Sequence, residues 1–94
     1  MDIRYNKDPE TELPHIYDHN VTESEVEEVL RDPGEDWASS RNSRIALGQT
    51  TAGRYLQVVY VRDEEPDSVF VITAYDLRGK PLAAYRRRRR RRRR

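Results

Sequence analysis

Nine consecutive arginines, residues 86–94, limit what this chain can fold into. A run of that charge cannot enter an apolar core, so a globular domain must be made from residues 1–85. Those residues carry nine Lys and Arg against seventeen Asp and Glu, a net charge of −8, and the whole-chain value of +1 averages this acidic body with a +9 end. Such an asymmetry points to a tail that meets nucleic acid, an acidic surface or a protein partner. With 94 residues and 35% hydrophobic content there is material for one domain and not for two.

The chain has no cysteine, which excludes a disulfide framework and thiolate metal sites and leaves apolar packing to hold the domain. The first six residues hold an acid and a base and no apolar stretch of signal-peptide length. The longest mainly apolar run, 69–74, is too short to cross a bilayer. The expectation is a soluble, cytoplasmic protein of bacterial type with no membrane partner and no cofactor.

Along the chain, residues 2–5 suit a short edge strand and 7–14 an irregular acidic link. Thr22 and Glu25 have the spacing of a capping box, with Val21 placed to pack on Val26. A helix over 23–31 follows, with Val26, Val29 and Leu30 on its apolar stripe, and Asp32-Pro33-Gly34 ends it. Trp37 lies in the loop beyond. Residues 44–50 alternate, with Ile45 and Leu47 on one face, and residues 54–62 form the next strand after the turn Thr51-Ala52-Gly53. Residues 69–75 are apolar on both faces, as a central covered strand requires. The fold class read from this pattern is α+β: an antiparallel sheet of three to four strands packed on one or two helices. Gly79-Lys80-Pro81 opens a last helix, which like-charge repulsion at spacings of three and four should fray within the arginines.

The order of short motifs carries a resemblance. It runs from His19-Asn20-Val21-Thr22 and Asp32-Pro33 to Arg44-Ile45-Ala46-Leu47-Gly48-Gln49-Thr50. Gly53-Arg54-Tyr55-Leu56-Gln57-Val58-Val59-Tyr60 and Val71-Ile72-Thr73-Ala74-Tyr75 complete it. This resembles the BrnT-like toxins of bacterial type II toxin–antitoxin pairs, within the RelE ribonuclease superfamily, over roughly residues 15–85. The resemblance implies a compact α+β ribonuclease fold, metal-independent RNA cleavage and neutralisation by a cognate antitoxin protein. Two positions depart from the family pattern: Asp18 where a basic residue usually precedes the histidine, and Tyr75 where an arginine commonly ends the last strand.

Metal-free RNA cleavage by the 2′-hydroxyl needs a base, an acid and cations for the developing charge. His19 suits the acid–base role because its ordinary pKa lies near neutrality, and it suits equally a histidine bonded to backbone at the helix entrance. Arg44 and Arg54 each offer a planar fork to phosphate, or a salt bridge to the surplus carboxylates. Tyr75 could bond phosphate, stack on a base or pack in the core. Arg78 and Lys80 are either phosphate-holding cations or a solvated loop. Tyr85 with Arg86, Arg87, Arg88, Arg89 and Arg90 forms the candidate RNA-binding segment. A zinc site at His15, Asp18 and His19 is set aside for want of a further ligand, and the acidic turn around Glu65-Pro66-Asp67 lacks a calcium-loop pattern. Two functions follow: an RNA-cleaving toxin held by its antitoxin, or a non-catalytic module that binds nucleic acid or an acidic protein through its arginines.

Overall fold

The helix start at Thr22 is built as its residues require. A computed structural model of the chain describes residues 1–92, and Arg93 and Arg94 of the arginine run lie outside the described residues. Helix α1 spans Glu23–Arg31. Thr22 Oγ1 accepts the Glu25 N–H at 3.2 Å, and the Glu25 carboxylate accepts the Thr22 N–H at 2.9 Å. Two donors that a helix start leaves free are thereby paired. Val21 and Val26 on either side of the cap are fully buried in one cluster. Thr22→Ala should therefore lose about 1 kcal/mol, read as a lower urea midpoint at unchanged slope. An unmoved midpoint would mean that the cap is idle.

The strands are β1 Asp2–Tyr5, β2 Glu35–Ala38, β3 Ser43–Gln49, β4 Tyr55–Arg62 and β5 Ser68–Asp76. They form one five-stranded sheet in the order β1-β5-β4-β3-β2. β3 to β5 make the expected antiparallel meander and β2 extends it at one edge, but the sheet is mixed and has five strands, which corrects the expectation of three to four antiparallel ones. The Trp37 segment, read as loop, is a strand because Trp37 pairs with Ile45 and Glu35 with Leu47. Four residues between two polar turns show too little alternation to declare themselves. β1 is at an edge as expected, but it runs parallel to β5, with Asp2 opposite Ser68 and Tyr5 opposite Val71.

Two apolar clusters lie on opposite faces of the sheet. On one, Ile16, Val26, Val29 and Leu30 pack on Ala46, Leu56, Val58, Val71 and Ala74. Gly48 allows this approach, since a Cβ there would stand 3.0 Å from Val29 Cγ1. On the other face Leu47, Leu77 and Tyr85 are buried, with Ile45, Tyr55 and Leu82 packed against them. Ile45 and Leu47 do share a face, but it is the one beneath the last helix and not the one beneath α1.

That last helix, α2, spans Gly79–Arg92. Among the described residues the expected fraying inside the arginines does not occur. Arg88 holds the Glu35 carboxylate through Nε at 2.7 Å and Nη2 at 2.8 Å, and Arg89 Nη1 donates to the Gly34 carbonyl at 3.0 Å. These anchors and the good intrinsic helix propensity of arginine outweigh a repulsion of only a few tenths of a kcal/mol per pair.

Candidate functional site

The register places the start of β4 beside the end of β5, with Leu56 opposite Asp76 and Gln57 opposite Tyr75. Arg54, just before β4, reaches across this junction. Its Nε donates to Asp76 Oδ1 at 2.7 Å, and its Nη1 to Glu25 Oε1 at 3.0 Å and to the Asn20 carbonyl at 2.6 Å. Its Nη2 donates to the His19 carbonyl at 3.3 Å. One guanidinium thus ties together β5, the first turn of α1 and the short 3-10 segment His15–His19 that precedes it. The hydrogen bond to Asp76 leads in raising the Arg54 pKa, against burial. The Asp76 carboxyl is held low by Arg54 and then by Arg78. Burial works to raise the Glu25 carboxyl, but the Thr22 N–H and Arg54 outweigh it and the net direction is down.

His19 is exposed at this junction. Its ring stands edge-on to Tyr75 with centroids 5.9 Å apart and to His15 at 5.3 Å. The Tyr75 hydroxyl accepts from Gln57 Nε2 at 2.9 Å. Arg78 Nη2 meets the second Asp76 oxygen at 2.8 Å. His19, Arg54, Tyr75 and Arg78 therefore converge, with Glu25 and Asp76 as the carboxylates that the sequence reading left out. Lys80 is exposed in the first turn of α2 and has no ion pair among the described residues. Arg44 stands apart. It pairs in register with Tyr60, four residues along β4 from the Leu56–Asp76 pair, or roughly 13 Å at about 3.3 Å per residue. Its Nε bonds Asp36 at 3.0 Å, and the Tyr60 hydroxyl donates to the other Asp36 oxygen. Among the described residues no group of three His, Asp or Glu side chains gathers as a metal site.

The second cluster of candidates lies on α2. Tyr85 is buried, 3% exposed, and holds the helix to the sheet rather than standing at the surface. Leu82 and Arg89 share its inward stripe, at the spacing that puts side chains on one helix face. Arg88 lies on one flank against Glu35, whose carboxyl it holds low. Arg86 lies on the other flank, its guanidinium 5.8 Å from the centre of the Tyr55 ring. Arg87, Arg90 and Arg91 are exposed. Tyr55 carried no signal of this role, because its partner stands 31 positions later and only the docking of α2 brings them together.

Residues 15–76 match a family model, that of the domain of unknown function DUF4258. The chain belongs to the DUF4258 family. The DUF4258 span runs from the 3-10 segment to the end of β5, so it includes His19, Glu25, Arg54, Tyr75 and Asp76 and leaves out β1 and α2. No curated protein and no solved structure matches the chain. Among the described residues no helix is long and apolar enough to cross a membrane.

Proposed function

We propose that this DUF4258 protein binds RNA through the exposed arginines of α2, as the cytoplasmic toxin component of a toxin–antitoxin pair of the BrnT-like kind. One observation carries the reading. Among the described residues Arg86, Arg87, Arg90 and Arg91 form no ion pair, whereas Arg44, Arg54 and Arg78 each already hold a carboxylate. Cations without carboxylate partners on one helix are the natural seat of a polyanion, whose binding releases counterions and relieves the helix of its own repulsion. An aromatic ring beside them suits unpaired bases better than a duplex. An acidic antitoxin segment would neutralise the protein by covering the same arginines.

A second reading, cleavage of the bound RNA, is favoured by the meeting of His19 with Tyr75. In it the exposed imidazole moves the proton of the 2′-hydroxyl or of the leaving oxygen, Arg54 positions His19 through its carbonyl, and Arg78 and Lys80 supply positive charge. Arg44 is too far along the sheet to take part.

A titration of labelled single-stranded RNA tests both. Four phosphate contacts, at about −0.7 in log–log slope each, should weaken binding roughly fiftyfold between 50 and 200 mM salt. Absence of binding at 50 mM would overturn the RNA reading. RNA that is cut by the native chain and left whole by His19→Ala supports cleavage, and RNA left whole by both leaves a binding module.

A further inference from the structure

Between α2 and the start of β4 lies a pocket of about 400 Å³, lined by Gln49, Tyr55, Arg86, Arg89 and Arg90, with Asp32 at its rim and Tyr85 behind it. Its size falls in the range of small-ligand sites, about 300–1,000 Å³, and is more than a lone phosphate needs. Its chemistry is divided. One wall carries three guanidiniums of α2, Arg89 from its inward stripe and Arg86 and Arg90 from the flank beside it, and the other an aromatic ring and a carboxamide. The Tyr55 ring is held in place by an edge contact with buried Tyr85, centroids 6.1 Å apart, so little side-chain freedom is lost when something stacks on it. Gln49 is exposed, and its Nε2 bonds the Gly53 carbonyl at 3.2 Å, which leaves the amide oxygen and one N–H for a ligand edge. Asp32 repels phosphate from one side of the mouth and can accept from a hydroxyl or an amino group.

Polycation binding alone would not require this division. We infer that the pocket receives one unpaired nucleotide of RNA, its base displacing the Arg86 guanidinium from over the Tyr55 ring and its flanking phosphates held by Arg86 and Arg90. The inference rests on the RNA-binding reading and adds to it a place where a base, and not only charge, is recognised. Other outward arginines, Arg87 and Arg91 among them, hold neighbouring phosphates without regard to bases.

The test uses the full chain and fluorescence anisotropy with a labelled eight-nucleotide RNA and the same strand made abasic. The native chain should bind the abasic strand roughly tenfold more weakly, the loss of one stack on an aromatic ring. Tyr55→Leu should lose the same factor against RNA and nothing against the abasic strand. Arg86→Ala should weaken RNA binding several-fold more than Arg87→Ala, although each removes one charge. Because the abasic comparison uses the unaltered chain, a Tyr55 variant that fails to fold does not spoil it. Equal affinity for both strands, with equal effects of the two arginine variants, would overturn the pocket and leave a featureless polycation that still binds RNA. Failure of the native chain to bind either strand at low salt would overturn the RNA reading together with the pocket.

Discussion

Arg54→Ala should destabilise the domain by about 2 kcal/mol and lower its thermal midpoint by roughly 10 °C. Removing one partner of a buried ion pair commonly costs about 3–5 kcal/mol because the other charge is left uncompensated. Here the Arg54 side chain is 26% exposed and its carboxylates similarly so, and solvent screening reduces the figure. Lysine should not rescue it, since a single ammonium cannot meet two carboxylates and two carbonyls at once. The same variant changes the pH response. Asp76 and Glu25 are held below the ordinary carboxyl range, so the folded chain releases their protons more readily than the unfolded chain. Their contribution is complete above the unfolded carboxyl range, about pH 4, and is lost as the pH falls below it. The native midpoint should fall on acidification from pH 5 to 3, and less steeply in Arg54→Ala, where Asp76 keeps only Arg78 and Glu25 only its Thr22 cap, while Glu28, Glu35 and Asp63 keep their partners. Melting curves at several pH values decide it. A variant that melts like the native chain and loses only RNA cleavage would return Arg54 to the phosphate-holding role.

Gly34→Ala should release α2 at a cost of about 2–3 kcal/mol. A Cβ at this position would fall inside the Tyr85 hydroxyl and 2.9 Å from Tyr85 Cζ. The backbone cannot retreat, because the Gly34 N–H is bonded to the Leu47 carbonyl at 2.8 Å and the next residue starts β2. The ring must therefore leave its place against Leu47 and Leu77. Amide exchange over 82–92 should accelerate while α1, whose cluster lies on the opposite face, keeps its protection. RNA affinity should fall with it, since the ring behind the pocket is lost. Protection over 82–92 equal to that of the native chain would show that Tyr85 has slack to move.

How much was legible depended on how far apart the deciding residues stand. Thr22, Glu25, Val21 and Val26 lie within six positions of one another, and the capped helix came out over the residues expected. The meander from β3 to β5 was visible because alternation and turn residues declare antiparallel neighbours locally. Arg54 shows the limit. Both a phosphate fork and an ion pair were open to it, and the ion pairs were chosen by Asp76 and Glu25, which are 22 and 29 positions away. His19 and Tyr75, 56 positions apart, meet only because the 3-10 segment packs along the half of β5 that β1 leaves uncovered.

The arginine run shows the same division. Residue composition alone determined that its charge stays out of the core, that the acidic body needs an external or internal counter-charge, and that a helix can begin at Gly79-Lys80-Pro81. Tertiary structure decided that the helix continues to Arg92, that Arg88 is occupied by Glu35, and that Arg86 lies over the Tyr55 ring beside a pocket. Helix starts and strand alternation are settled by neighbours in the chain. The partner of a charge is settled by which strands lie side by side, and that register is a property of the assembled sheet.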